Sequence, residues 1–199
     1  MRYVALGDSY TIGTSVEASE RFPDQLARAE PHLELVANLG VDGYTAADPI
    51  RDELPALAAL APEFVTLLIG VNDVVQDIPV ATYEANVIEI LDVLQAAVPS
   101  DRIVAIAIPD YCVTPAGADY GDPDVKRAAI VEANRTMARL TGERGIAFVD
   151  IFDISARAAD DRSLVADDGL HPSARQYALW VERLVPIVRA SLATAGATD

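Results

Sequence analysis

Gly7-Asp8-Ser9-Tyr10 follows Tyr3-Val4-Ala5-Leu6, an apolar run that reads as a buried strand broken by a glycine. A serine at the carboxyl end of a first parallel strand stands where open α/β sheets place their ligands. Its hydroxyl is a poor nucleophile until a base removes its proton. Acyl transfer by Ser9 needs a base, a group to orient that base, and donors for the developing oxyanion. His171 can be the base, and Asp168, three residues earlier, can hold its ring, with Gly169 giving the short loop freedom to turn. Asn72 offers side-chain N–H groups, and the amides of Ser9 and Gly40 are further donors. Each residue also has a plainer use. Gly-Asp-Ser can be a turn with an aspartate cap, Asn72-Asp73 can cap a helix, and Asp168 to Pro172 can be a turn before a helix. Only the combination, in order and at strand ends, points to catalysis. The other histidine, His32, follows Pro31 near an expected helix end and is a poor candidate for the base.

Five apolar runs must position these residues: Tyr3–Leu6, Leu33–Ala37, Phe64–Ile69, Ile103–Ile108 and Ile146–Ile151. The third is nearly all apolar and therefore central. Between them, helical spacing of apolar residues predicts helices over 19–30 (Phe22, Leu26, Ala29) and 46–60 (Ile50, Leu54, Leu57, Leu60). Further helices are expected over 79–98 (Val80, Tyr83, Val87, Ile90, Leu91, Leu94, Val98), over 124–143 and from Ser173 onward. Asp48 is the expected cap of the second helix, and Pro55 threatens to kink it. Residues 109–123 and 152–172 read as loops without regular structure, and 193–199 as a frayed tail. Strands alternating with helices imply an α/β fold. It is a three-layer α/β/α sandwich on a five-stranded parallel sheet, in the flavodoxin-like order 2-1-3-4-5. That order brings Ser9, Gly40, Asn72 and the Asp168–His171 loop to one edge.

The chain has 199 residues, expected to form a single domain, and half are hydrophobic, which argues against disorder. Fifteen Lys and Arg face 31 Asp and Glu, a formal net charge of -16 that repels nucleic acid. One cysteine, Cys112, and two histidines are too few for an internal disulfide or a zinc cluster, so no metal or other cofactor is expected. No run approaches the roughly 20 apolar residues of a membrane span. The residues before Gly7 are too few for a signal h-region, so a cytoplasmic location is expected, with secretion of a processed form left open. Oligomeric state has no sequence signal.

Gly-Asp-Ser-Tyr at 7–10, Asn-Leu-Gly at 38–40, Gly-Val-Asn-Asp at 70–73 and Asp-Gly-Leu-His-Pro at 168–172 resemble the blocks of the SGNH subgroup of GDSL esterases and lipases. They run in family order across nearly the whole chain; Tyr10 departs from the Leu of the family name. The resemblance implies a flavodoxin-like sandwich and a serine hydrolase acting on small-molecule carboxylic esters. It implies Ser9 as nucleophile, His171 as base and Asp168 as its orienter, with Ser9, Gly40 and Asn72 forming the oxyanion hole. Asp8 and Asp73 would brace the loops. Few long connections are expected, so short acyl chains should be preferred, with Tyr111, Val113 and Tyr120 available as a wall. The alternatives are a thioesterase or lysophospholipase on the same residues, and a non-catalytic flavodoxin-like binding module. Against the last, no Gly-rich phosphate loop follows strand 1.

Overall fold

The computed structural model describes residues 1–193. Five strands, β1 (Arg2–Gly7), β2 (Glu34–Asn38), β3 (Phe64–Leu68), β4 (Ile103–Ile106) and β5 (Ala147–Val149), form one parallel sheet in the order β2-β1-β3-β4-β5. Every residue of β3 is buried, as its unbroken apolar run requires. Its register with β1 pairs Tyr3 with Phe64 and Gly7 with Leu68, so the two strands end side by side. The chain leaves β1 for β2 on one side and returns to β3 on the other. The carboxyl ends of β1 and β3 therefore flank the crevice where such sheets bind ligands.

The α-helices are α1 (Ser9–Ile12), α2 (Phe22–Ala29), α3 (Ala47–Asp52), α4 (Leu57–Leu60) and α5 (Val71–Val75), then α6 (Val80–Ala97), α7 (Pro123–Glu143), α8 (Phe152–Ala156) and α9 (Ala174–Ala193). α2 packs on α9, and α3 and α7 pack on α6. Right-handed crossovers put these two groups on opposite faces of the sheet. Among the described residues no helix is long and apolar enough to cross a membrane.

An aromatic cluster joins α9 to the end of β1. Tyr177 and Trp180 meet edge to face with ring centroids 5.0 Å apart, Phe22 and Tyr10 each lie 6.3 Å from Trp180, and the Tyr177 hydroxyl donates to the Tyr10 carbonyl at 3.0 Å. All four side chains are buried. Rings of this size carry much of a core's apolar burial. Here they also fix the turn that carries Ser9.

Several local expectations need correction. The helix expected over 46–60 is three pieces, α3, a 3₁₀ turn at Leu54–Ala56 and α4, because Pro55 cannot donate into a continuous ladder. Asp48 does not cap it. Ala46 holds that place, and Asp48 sits in the first turn, accepting from the amide and hydroxyl of Thr45. Residues 109–123 contain two 3₁₀ turns, Tyr111–Val113 and Gly117–Tyr120, and residues 152–172 contain α8 and two more. α5 begins before Asn72, with Gly70 as its cap, so Asn72-Asp73 is not a cap. Ala29 and Val80 keep helical spacing but face solvent, because each lies near a helix end. The fraying expected for 193–199 lies outside the described residues except at Ala193, the last residue of α9.

Candidate active site

β1 ends in a sharp turn into α1. Asp8 caps the helix by accepting the Tyr10 amide at 3.0 Å, and Thr11 donates its hydroxyl back to the Leu6 carbonyl at 3.3 Å. Ser9 is thus the first residue of a helix, where its amide has no intrahelical acceptor. Glu53 braces the turn from below, its Oε2 accepting the Gly7 amide at 3.0 Å. No motif marks Glu53, and its burial at 2 % exposure was not legible from spacing alone.

The chain after β2 closes against this turn. The Leu39 and Val41 amides continue the pairing by donating to the carbonyls of Ala5 and Gly7. Asn38 clamps it, donating from Nδ2 to the Thr11 carbonyl at 2.7 Å and accepting the Gly40 amide on Oδ1 at 3.1 Å. A Cβ on Gly40 would lie 2.7 Å from the Ile12 nitrogen and 2.8 Å from the Asp8 carbonyl oxygen, so only glycine permits this approach. Gly40 does not line the cleft described below, and its amide is already held by Asn38.

Asn72 stands on α5, immediately after β3. Its Nδ2 donates one N–H to the Tyr44 carbonyl at 2.9 Å, which aims the amide. Asp73 ties α5 to the start of α3 by accepting the Ala46 amide at 2.8 Å. Lys126 secures the other end of α5, donating to the carbonyls of Val74 at 2.8 Å and Val75 at 3.1 Å and pairing with Asp77 at 2.7 Å.

His171 and Asp168 lie in the loop before α9. Asp168 Oδ1 accepts the amides of Leu170 at 2.8 Å and His171 at 2.9 Å, while Oδ2 lies 2.6 Å from His171 Nδ1. Gly169, at φ 76°, supplies the left-handed turn between them. With Nδ1 donating to the carboxylate, Nε2 is left as the acceptor. Ser15 also donates its hydroxyl to Asp168 Oδ2, at 2.6 Å. Burial pushes the Asp168 carboxyl up, but these hydrogen bonds, Ser15 first, outweigh it and hold the pKa lowered to about 2. Tyr10 meets the His171 ring edge to face at 5.6 Å.

Ser9, Asn72 and His171 line one cleft of about 220 Å³, with Tyr111, Tyr120 and Asp42 around them. No hydrogen bond joins Ser9 to His171 among the described residues. Such bonds tighten when substrate binds. Of the residues singled out in the sequence, Ser9, Asn72 and His171 line the cleft, Asp168 holds His171, and Gly40 packs against the turn that carries Ser9. Among the described residues no group of His, Cys, Asp and Glu side chains is arranged to hold a metal ion.

Among curated proteins none matches the chain significantly. Solved structures share its fold. A lipolytic protein of the G-D-S-L family from Veillonella parvula superposes with TM-score 0.78 at 17% identity, covering 95% of this chain and 98% of that one. A catalytic mutant of an acetylxylan esterase from Geobacillus stearothermophilus gives 0.73 at 19%, covering 94% and 93%. The psychrotrophic esterase EstA from a Pseudoalteromonas species gives 0.70 at 20%, covering 96% and 98%. Residues 5–179 match the model of the GDSL-like lipase/acylhydrolase family, and the chain belongs to that family as a GDSL-type esterase.

Proposed function

We propose that the protein cleaves short-acyl carboxylic esters through a covalent acyl-enzyme on Ser9. The observation that carries this reading is the 2.6 Å Asp168–His171 contact on the same cleft as Ser9. Ser9 Oγ attacks the ester carbonyl while His171 Nε2 takes its proton. Asp168 holds the ring and stabilises the imidazolium. The oxyanion of the tetrahedral intermediate receives the Ser9 amide and the Nδ2 proton of Asn72 not given to Tyr44. The Gly40 amide can add a third bond only by sharing the one it gives Asn38 Oδ1. Collapse breaks the bond to the alcohol oxygen, which leaves with the proton from His171. Water then gives a proton to His171 and attacks the acyl-enzyme; a second collapse releases the acid and returns the proton to Ser9. The neighbouring acetylxylan esterase, which shares this fold, supports a small acyl group.

A fluorophosphonate probe tests the reading. It should label Ser9 stoichiometrically, and folded Ser9→Ala should neither take label nor turn over esters. Turnover that survives in folded Ser9→Ala overturns it.

A further inference from the structure

Asp42 is the charged side chain that lines the cleft beside Ser9 and His171. It is exposed, and the Thr14 hydroxyl, donating to its Oδ1, holds the carboxylate in place. Among the described residues no Lys or Arg lines the cleft. Lys126 spends its ammonium on Val74, Val75 and Asp77, and Arg127 pairs with Asp110 at 3.0 Å. Tyr120, the exposed aromatic of the lining, can add a π contact to a cation beside Asp42. Around this cleft the whole chain carries a net charge of -16.

We propose that the cleft selects esters by the charge of their alcohol portion, favouring a cationic alcohol and turning away an anionic one, with Asp42 as the selecting residue. The inference rests on the ester-hydrolase reading above and narrows it. It places thioesters of phosphorylated carriers and lysophospholipids with net negative headgroups among the poor substrates. A ligand charge a few ångströms from an exposed carboxylate feels a modest field, strengthened where the cleft excludes water.

Three acetate esters of similar shape test it: those of choline, of its neutral isostere 3,3-dimethylbutanol, and of 3-hydroxypropanesulfonate. kcat/KM should fall in that order, by about 3- to 10-fold per step at low salt. The steps should shrink between about 0.01 M and 1 M salt, as screening of an exposed charge requires. Asp42→Asn should narrow both gaps, and Asp42→Lys should place the anionic ester ahead of the cationic one. Equal kcat/KM for the three esters in the wild type, or an order that Asp42→Lys leaves unchanged, overturns the charge selection alone. No turnover of any of them overturns the hydrolytic reading as well.

Discussion

Four donors converge on the Asp168 carboxylate: the amides of Leu170 and His171, the His171 ring, and the Ser15 hydroxyl. The first three come from its own loop and are implicit in the Asp-Gly-Leu-His spacing. The fourth comes from a residue 153 positions away, and nothing near Ser15 in the sequence marks it. Ser15 also holds φ at 68°, a conformation that a non-glycine residue adopts at a cost. These two facts separate its roles. Ser15→Gly should relieve the backbone, which offsets part of the stability lost with the hydrogen bond to a charged group, and should lower kcat by about 3- to 10-fold. Ser15→Thr should retain more of kcat. A Ser15→Gly enzyme with unchanged kcat would reduce the contact to a structural one. The role proposed for Asn72 is at a different point. Asn72→Ala should cost about 10²–10³-fold in kcat with KM little changed, as loss of an oxyanion donor does. Unchanged kcat in the folded variant would remove Asn72 from that role.

At the scale of elements, the strands β1, β3 and β4 were legible as apolar runs, and their order followed from the alternation with helices and the flavodoxin-like topology it suggests. The loops behind their ends were less so. The pieces between 46 and 60 depend on what Pro55 does to the ladder, and spacing alone cannot place such a break. The segment 109–123 hides its order, because 3₁₀ turns have no apolar period. It is nonetheless anchored. The Ala116 amide donates to the Gly169 carbonyl at 3.0 Å, the Asp110 amide donates to Ser155 Oγ at 2.7 Å, and Tyr111 is buried. Such a segment is a wall of the cleft rather than a flap. The 220 Å³ it bounds is smaller than the ~300–1,000 Å³ of a typical ligand pocket. Across acetyl, butyryl, octanoyl and palmitoyl esters of one alcohol, kcat/KM should therefore peak at acetyl or butyryl. A peak at octanoyl or beyond would mean that the wall moves. The close approach at Gly40 makes a second expectation. Gly40→Ala should cost about 1–3 kcal/mol by overpacking against Ile12, Asp8 and Thr11, read as a lowered urea midpoint.

The whole molecule carries an acidic balance inside as well as outside. Asp8, Glu53 and Asp73 are all buried, and each gives one oxygen to a backbone amide and has no hydrogen-bond partner for the other among the described residues. Burial, foremost, pushes their carboxyls up, to about 8, 9 and 6 respectively. Between its unfolded pKa of about 4 and these raised values, the folded chain holds protons that the unfolded chain has released. Their contribution to stability is therefore full below about pH 4 and lost as pH rises through about 6 to 9. Asp168, lowered to about 2, runs the other way: its contribution is present above about pH 4 and lost as pH falls through 2. Repulsion within a chain of net charge -16 adds to the loss at high pH. Stability from urea unfolding should thus peak near pH 4–5 and decline steadily toward pH 9. Glu53→Gln keeps an acceptor for the Gly7 amide and removes one of the titrating groups, so it should flatten the decline and leave the peak in place. A stability that is flat or rising from pH 5 to 9, or a Glu53→Gln profile parallel to the wild type, would show that these carboxyls are ionised in the folded protein.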